Sequence, residues 1–253
     1  MNDVYAIILG GGIGARAQSK IPKQFLSLGN KSVLEQTIET FNNHNEVDAI
    51  VIVINPEFGQ ILKDLEISKK YKKVLHVVDG GTSRRESAYH GIKILPEQGC
   101  KVLIHDGVRP FVSQETISRC IMALDYHDAV YPAVESADTL VEVDDEFIVK
   151  KIPQRKYMMR GQTPQGFKIE IIKKAHLLSQ NDPNVDDEVT NDCGLIYRYN
   201  LGNIKVVKGN RENVKITYPE DLAMIRRLYV DETRGKIDEK RTANVDTISI
   251  ISS

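Results

Sequence analysis

Apolar residues in this chain fall in short unbroken runs: Val4–Leu9 (VYAIIL), Ala49–Ile54 (AIVIVI), Val74–Val78 (VLHVV), Val102–His105 (VLIH) and Ala129–Val134 (AVYPAV). Strands apolar on both faces suit the inside of a parallel sheet. Helical spacing covers the intervals Ser32–Phe41, Phe58–Tyr71, Ser83–Leu95 and Gln114–Tyr126. This alternation predicts an α/β fold, a doubly wound and mostly parallel sheet joined by right-handed crossovers. It lapses from Glu135 to Arg160, where Ser136–Val143 and Phe147–Val149 flank Asp144-Asp145-Glu146. That stretch predicts a β-hairpin turning at an acidic loop, a protruding arm over about 135–160. The pattern resumes with a helix at Lys168–Leu178, a strand at Ile204–Val207 and a helix at Pro219–Leu228. Pro219 followed by Glu220 and Asp221 is a helix-start signal. Residues 1–229 are expected to form one domain, and 230–253, charged and ending in TISIIS, a tail or linker.

Composition narrows the function. Of 253 residues, 41% are hydrophobic and 27% charged, which is globular usage. The 34 Lys and Arg nearly balance 35 Asp and Glu, so no global field draws the chain to nucleic acid or an anionic membrane, and neither partner is expected. The longest apolar runs are strand-sized, too short for a bilayer. Met1-Asn2-Asp3 precedes the first strand without a leader pattern, and Cys100, Cys120 and Cys193 make neither a disulfide framework nor a zinc motif. A cytoplasmic protein is expected.

Candidate chemistry sits where strands end. After the first run comes Leu9-Gly10-Gly11-Gly12-Ile13-Gly14-Ala15-Arg16, with Lys20 and Lys23 downstream. Backbone N–H groups in such a loop form an anion-binding concavity. Gly10, Gly12 and Ala15 satisfy a loose dinucleotide fingerprint, but Pro22 disfavours an uninterrupted helix and the next strand ends at Ile54-Asn55-Pro56 without an acidic residue. No Gly-Lys-Ser/Thr is present, so a Walker loop is excluded. Glycines with Arg and Lys suit a triphosphate; a solvated basic loop is the plainer alternative. Three further clusters favour the anion site: Asp79-Gly80-Gly81-Thr82-Ser83-Arg84-Arg85-Glu86-Ser87, His105-Asp106-Gly107-Val108-Arg109-Pro110 and Asn213-Val214-Lys215-Ile216-Thr217. In open α/β sheets, ligands bind at the carboxyl ends of strands.

These segments, with Pro22-Lys23-Gln24-Phe25, Asp138-Thr139 and Thr163-Pro164-Gln165-Gly166-Phe167, appear in an order that resembles the polyol-phosphate cytidylyltransferases. That family includes the methylerythritol 4-phosphate and ribitol 5-phosphate enzymes, and the resemblance spans roughly residues 4–229. It implies a nucleotide-diphospho-sugar transferase-like domain that is homodimeric through the hairpin arm and uses CTP and Mg²⁺. By the same resemblance Arg16, Lys23 and Lys215 are the catalytic cations. Leu9, Gly10, Gly11, Gly12, Gly14, Gly80, Gly81, Arg84, Ser87, Asp106 and Arg109 hold the nucleotide, with Asp106 also the metal ligand. Thr139 and Arg155 reach the acceptor phosphate from the neighbouring subunit, and Thr163 and Thr190 line the acceptor pocket.

There are departures. Gly107-Val108 stands where the methylerythritol enzymes usually show Ala-Ala, Met158–Gln165 looks closer to the ribitol enzymes, and Asn191 stands where many relatives carry Asp. Ribitol 5-phosphate is therefore the expected acceptor and 2-C-methyl-D-erythritol 4-phosphate the alternative. The chemistry needs no catalytic histidine, because a phosphate monoester is mostly dianionic at neutral pH; His105 is expected to be structural. An NAD-dependent oxidoreductase and a non-catalytic nucleotide-binding module are the competing classes.

Overall fold

The computed structural model describes residues 3–12, 21–218 and 220–231. Gly14, Arg16, Lys20, Pro219 and the stretch 232–253 lie outside the described residues. The five apolar runs become β1 (Val4–Leu9), β4 (Ala49–Ile54), β5 (Val74–Asp79), β6 (Lys101–Asp106) and β7 (Ala129–Glu135). Between β1 and β4 lie the two-residue strands β2 (Ser27–Leu28) and β3 (Lys31–Ser32), then helix α1 (Val33–Asn42). The expected parallel core is present: β5–β4–β1–β6 run side by side in one direction.

Alternate residues of β4, β1 and β6 go to opposite covered faces, which is why these runs show no polar alternation. By contrast β5, expected to be buried on both faces, lies at the sheet edge and leaves Leu75 and Val77 exposed. On one face Ala6, Ile8, Ile50, Ile52 and Leu103 pack against Leu34, Ile38 and Phe41 of α1 and against Ile117 and Ile121 of α5 (Gln114–Ala123). On the other, Ile7, Val51, Val53, Val102 and Ile104 meet Ala88 and Ile92 of α4 (Arg84–Lys93) and Ile169, Ile172 and Ala175 of α6 (Ile169–Ser179). A third cluster joins Leu28 and Val33 to Ile216 and to Ile225 in the helix over 220–231. That helix continues past Tyr229, the boundary expected from sequence, and Asp221 in its first turn accepts the backbone N–H groups of Thr217 and Tyr218.

Three further features differ from the sequence reading. The helix expected over Phe58–Tyr71 is two pieces, α2 (Gly59–Asp64) and α3 (Ile67–Lys70), broken at Glu66 with φ +50°. Leu62 and Ile67 both enter the core, whereas a continuous helix would point them about 140° apart. Second, β10 (Met159–Gly161) and β11 (Gln165–Lys168) were not legible as strands. β11 inserts antiparallel between β6 and β7, and β10 continues along the same edge of β7. Third, α7 (Val185–Glu188) and α8 (Asp192–Arg198) precede the edge strand β12 (Ile204–Lys208), parallel to β7.

The arm is a hairpin as expected, with β8 (Glu142–Val143) paired to β9 (Val149–Lys151). Asp144 closes its turn by accepting N–H groups from Glu146 and Ile148. Phe147 and Ile152 on it are 84% and 63% exposed. No helix among the described residues is long and apolar enough to cross a membrane.

Helix α1 illustrates how strongly the local sequence specifies its element. Ser32 accepts the Glu35 N–H while the Glu35 carboxylate accepts the Ser32 N–H, a capping box. Ser32→Ala is expected to destabilise the fold by about 1 kcal/mol, read as a lower urea midpoint at unchanged m-value.

Candidate active site

Three strands of the parallel core, β1, β5 and β6, end at the same level, and the first loop residue after each stays tied to the neighbouring strand. Gly10 N–H donates to Val53 O (2.7 Å), Gly80 N–H to Ile54 O (2.7 Å) and Gly107 N–H to Leu9 O (2.8 Å). Gly80 leaves little space for a side chain: a Cβ would stand 3.1 Å from Ser87 Oγ and 3.3 Å from Ile54 O. Here Gly81 N–H donates to Ser87 Oγ at 3.0 Å, so the turn grips the start of α4. The loops enclose a cleft of about 530 Å³ whose walls include Leu9, Gly10, Gly11, Gly12, Gly81, Ser87 and Asp106, with the cations Lys23, Arg84 and Lys215.

Each cation arrives by a separate route. Lys23 lies in a short 3-10 turn (Lys23–Phe25) and its Nζ donates to Ile216 O at 3.2 Å. Lys215 belongs to an extended segment docked on the loop after β6: Ile216 N–H donates to Val108 O at 3.0 Å, and Arg109 donates to Asn213 O at 2.8 Å. Lys215 Nζ then stands 3.0 Å from Asp106. Arg84, in the first turn of α4, bridges Asp106 (3.5 Å) and Asp192 (2.7 Å). Arg109 also pairs with Asp106, at 3.2 Å. Burial would raise the Asp106 pKa, but Arg84, Lys215 and Arg109 outweigh it and hold the carboxylate far below its usual range. The carboxyl of Asp192, equally buried, is pulled down to about 2 by Arg84 and His176.

Under this cluster His105 is wholly buried. Its Nε2 lies 3.0 Å from Arg109 O, which cannot donate, so Nε2 carries the proton. Its Nδ1 therefore accepts from Thr163 Oγ1 at 3.0 Å, and Thr163 Oγ1 in turn accepts the Asp106 N–H at 3.1 Å. Burial pushes the imidazole pKa down to about 4. His105 is thus the structural residue expected from sequence. Thr163, expected in the acceptor pocket, is buried instead, its hydroxyl spent on fixing the end of β6.

Thr190 lines a second cavity, of about 300 Å³, which shares Ser83 and Arg84 with the first. Thr139 and Arg155 are exposed on the arm and line neither cavity of their own chain. Sequence reasoning missed Gln24, which donates to Gly10 O (2.7 Å) and Gly12 O (3.1 Å) and so props the glycine loop from below. It also missed Asp192 and His176 behind Arg84. Gln24 sat inside a motif already singled out; His176 is one of an apolar helix's residues and carries no signal. The oxidoreductase reading fares poorly: Asn55 stands in the cleft wall where the fingerprint needs an acid.

His105 gives this site a pH dependence. The unfolded imidazole binds its proton near pH 6.5 and the folded one only near pH 4, so stability is lost as pH falls through that window. We expect wild type to lose about 2 kcal/mol more than His105→Asn between pH 7 and 4.5, measured by urea unfolding at the two pH values. Equal losses would assign the acid sensitivity to other groups.

Comparison with known proteins bears on this site. The profile of IspD: 2-C-methyl-D-erythritol 4-phosphate cytidylyltransferase matches residues 4–231. The chain is 33% identical over 252 residues to the bifunctional ribulose 5-phosphate reductase/CDP-ribitol pyrophosphorylase Bcs1 of Haemophilus influenzae, covering 98% of this chain but only 52% of that protein. It is 35% identical over 225 residues to the ribitol-5-phosphate cytidylyltransferase of Vibrio parahaemolyticus, covering 87% and 93% of the two chains. Among solved structures, the 4-diphosphocytidyl-2C-methyl-D-erythritol synthase of Anaerococcus prevotii superposes with a TM-score of 0.80 at 34% identity, covering 91% of this chain and 96% of that one. The chain belongs to the IspD family of cytidylyltransferases, a nucleotidyltransferase class.

Proposed function

We propose that this protein transfers the cytidylyl group of CTP to a polyol phosphate, with ribitol 5-phosphate the preferred acceptor and pyrophosphate the leaving group. The observation that carries the reading is the convergence of Lys23, Arg84, Lys215 and the glycine turns on one cleft around a single ionised carboxylate. An acceptor phosphate oxygen attacks the α-phosphorus, and the bond from that phosphorus to the bridging oxygen of pyrophosphate breaks. The nucleophile is already deprotonated at neutral pH, so no base is required. What is required is to bring two anions together, and the cations supply it by neutralisation and alignment. Arg16, in the glycine loop, belongs to this set by the family resemblance.

Mg²⁺ fits the donor set in a limited way. Asp106 is the carboxylate that would hold it, kept ionised by its neighbours. Among the described residues no group of three or more His, Cys, Asp or Glu could hold a metal, so the remaining ligands would be phosphate oxygens and water, as Mg²⁺ prefers. Bound there, the ion would add Lewis-acid neutralisation of the triphosphate.

Two relatives named for ribitol or CDP-ribitol support the acceptor. The family profile and the Anaerococcus structure carry the methylerythritol name, which keeps that compound as the second reading. We also infer a homodimer through the arm. Its exposed Phe147, Ile148 and Ile152 would be covered, and Thr139 and Arg155, outside their own chain's cavities, would serve the partner's.

Pyrophosphate release with CTP and each acceptor tests the reaction: turnover with ribitol 5-phosphate at higher kcat/KM than with the methylerythritol compound is expected, and no turnover with either would refute it. Lys23→Ala and Lys215→Ala should each lower kcat by about 10²–10³ while circular dichroism stays native. Arg155→Ala should raise the acceptor KM at least tenfold more than the CTP KM, because Arg clamps phosphate oxygens bidentately. A parallel loss for both substrates would indicate a dimer or folding defect.

A further inference from the structure

The wall of the second cavity contains a chain of hydrogen bonds whose direction is set by the backbone. The Cys193 N–H can only donate, and it donates to Gln165 Oε1 at 3.0 Å. This fixes which end of the Gln165 amide is oxygen, so its Nε2 points to Asn191 and donates to Oδ1 at 3.0 Å. Gly194 N–H, in the first turn of α8, donates to the same Oδ1 at 3.1 Å. Two donors on Oδ1 leave Asn191 Nδ2 facing the other way, where it lies 3.3 Å from Thr190 Oγ1. An amide NH₂ cannot accept, so Thr190 must be the acceptor in that pair. Its own hydroxyl proton is then free for the cavity it lines beside Arg84.

We propose that Asn191, oriented by Gln165, is a positioning residue that sets acceptor specificity by making Thr190 a hydrogen-bond donor to the acceptor substrate. The proposal deepens the reading of the second cavity as the acceptor pocket and rests on it. The consequence is chemical. A carboxylate at position 191 would keep both bonds at Oδ1, and with them the helix cap, but would take the Thr190 proton for itself. The hydroxyl would then show the cavity only lone pairs. Such a site would face a ligand oxygen lone pair to lone pair, and would favour a ligand hydroxyl that donates. As built, the charges in the wall are paired, Arg84 with Asp192 and Arg85 with Asp186, and the Thr190 proton adds a donor among them. That suits an oxygen that accepts: a phosphate oxygen or a polyol hydroxyl bonded through its lone pair.

Asn191→Asp is the nearly isosteric test, assayed with CTP and ribitol 5-phosphate or, if that is the better substrate, the methylerythritol compound. The acceptor KM should rise about tenfold, while kcat and the CTP KM stay within about twofold, the size expected for one hydrogen bond lost to a ligand. The added negative charge could raise that KM by itself, so the cycle with Thr190→Val separates the two causes. In the Thr190→Val background, Asn191→Asp should have little further effect on the acceptor KM. In Thr190→Ser, which keeps the hydroxyl, the tenfold effect should persist. If the wild type turns over neither polyol phosphate, the reading of the reaction fails and this inference with it. If it turns one over, but Asn191→Asp leaves the acceptor KM unchanged or has the same effect with and without the Thr190 hydroxyl, the inference alone is overturned.

Discussion

A buried carboxylate among cations organises this molecule. Asp106 is 6% exposed, and an isolated charge so placed would cost several kcal/mol unless compensated. Arg84, Arg109 and Lys215 compensate it, and they come from a helix start, a loop and a segment 109 residues further along the chain. The ion cluster is therefore also a tertiary constraint, tying the last segment before the C-terminal helix to the middle of the sheet. Removing Asp106 would leave its cations to repel one another; removing one cation would weaken both the clamp and the anion field.

The same arrangement sets the sign of the cleft. Asp106 is the lone carboxylate lining it among the described residues, against Lys23, Arg84 and Lys215, although Arg84 also neutralises Asp192. The net excess is positive and faces a low-dielectric wall of Leu9 and Val108, where field strength is greater than in water. A near-neutral chain thus concentrates a local positive field at one end of its sheet. Composition conceals this, because 34 Lys and Arg and 35 Asp and Glu nearly cancel over the whole chain.

Legibility in the sequence followed the length scale of the interaction. The buried strands were readable because two-sided burial leaves a one-dimensional trace, as in Ala49–Ile54, and α1 because its capping box lies within four residues. β10 and β11 were not, since three- and four-residue strands with a break between them look like loop. The break in α2–α3 was invisible for a related reason: it serves to turn Leu62 and Ile67 toward one core, a requirement that exists only in three dimensions. At the site, the strand-end clusters identified the cleft, but the partners that orient it did not declare themselves. Gln24, His176 and Gln165 act through contacts with groups 14, 16 and 26 residues away. The burial of Thr163 was illegible in the same way, since a threonine in a motif does not reveal that its hydroxyl bonds His105 and Asp106.

Arg84 links the two cavities physically, with one guanidinium held between Asp106 in the first and Asp192 in the second. Asp192 is itself fixed by His176 at 3.2 Å, and that ring stacks on Tyr89 with centroids 5.9 Å apart. A planar group pinned at both ends has little freedom to follow a ligand, so the wall between the cavities is preorganised. For a reaction whose barrier is the approach of two anions, a rigid cationic partition is more effective than a mobile one. A flexible lysine would reorient toward whichever phosphate arrived first and would have to be displaced for the second. The fold supplies that rigidity at the point where α4 begins, so the geometry that stabilises the buried acids is also the geometry that would align the reactants of the proposed transfer.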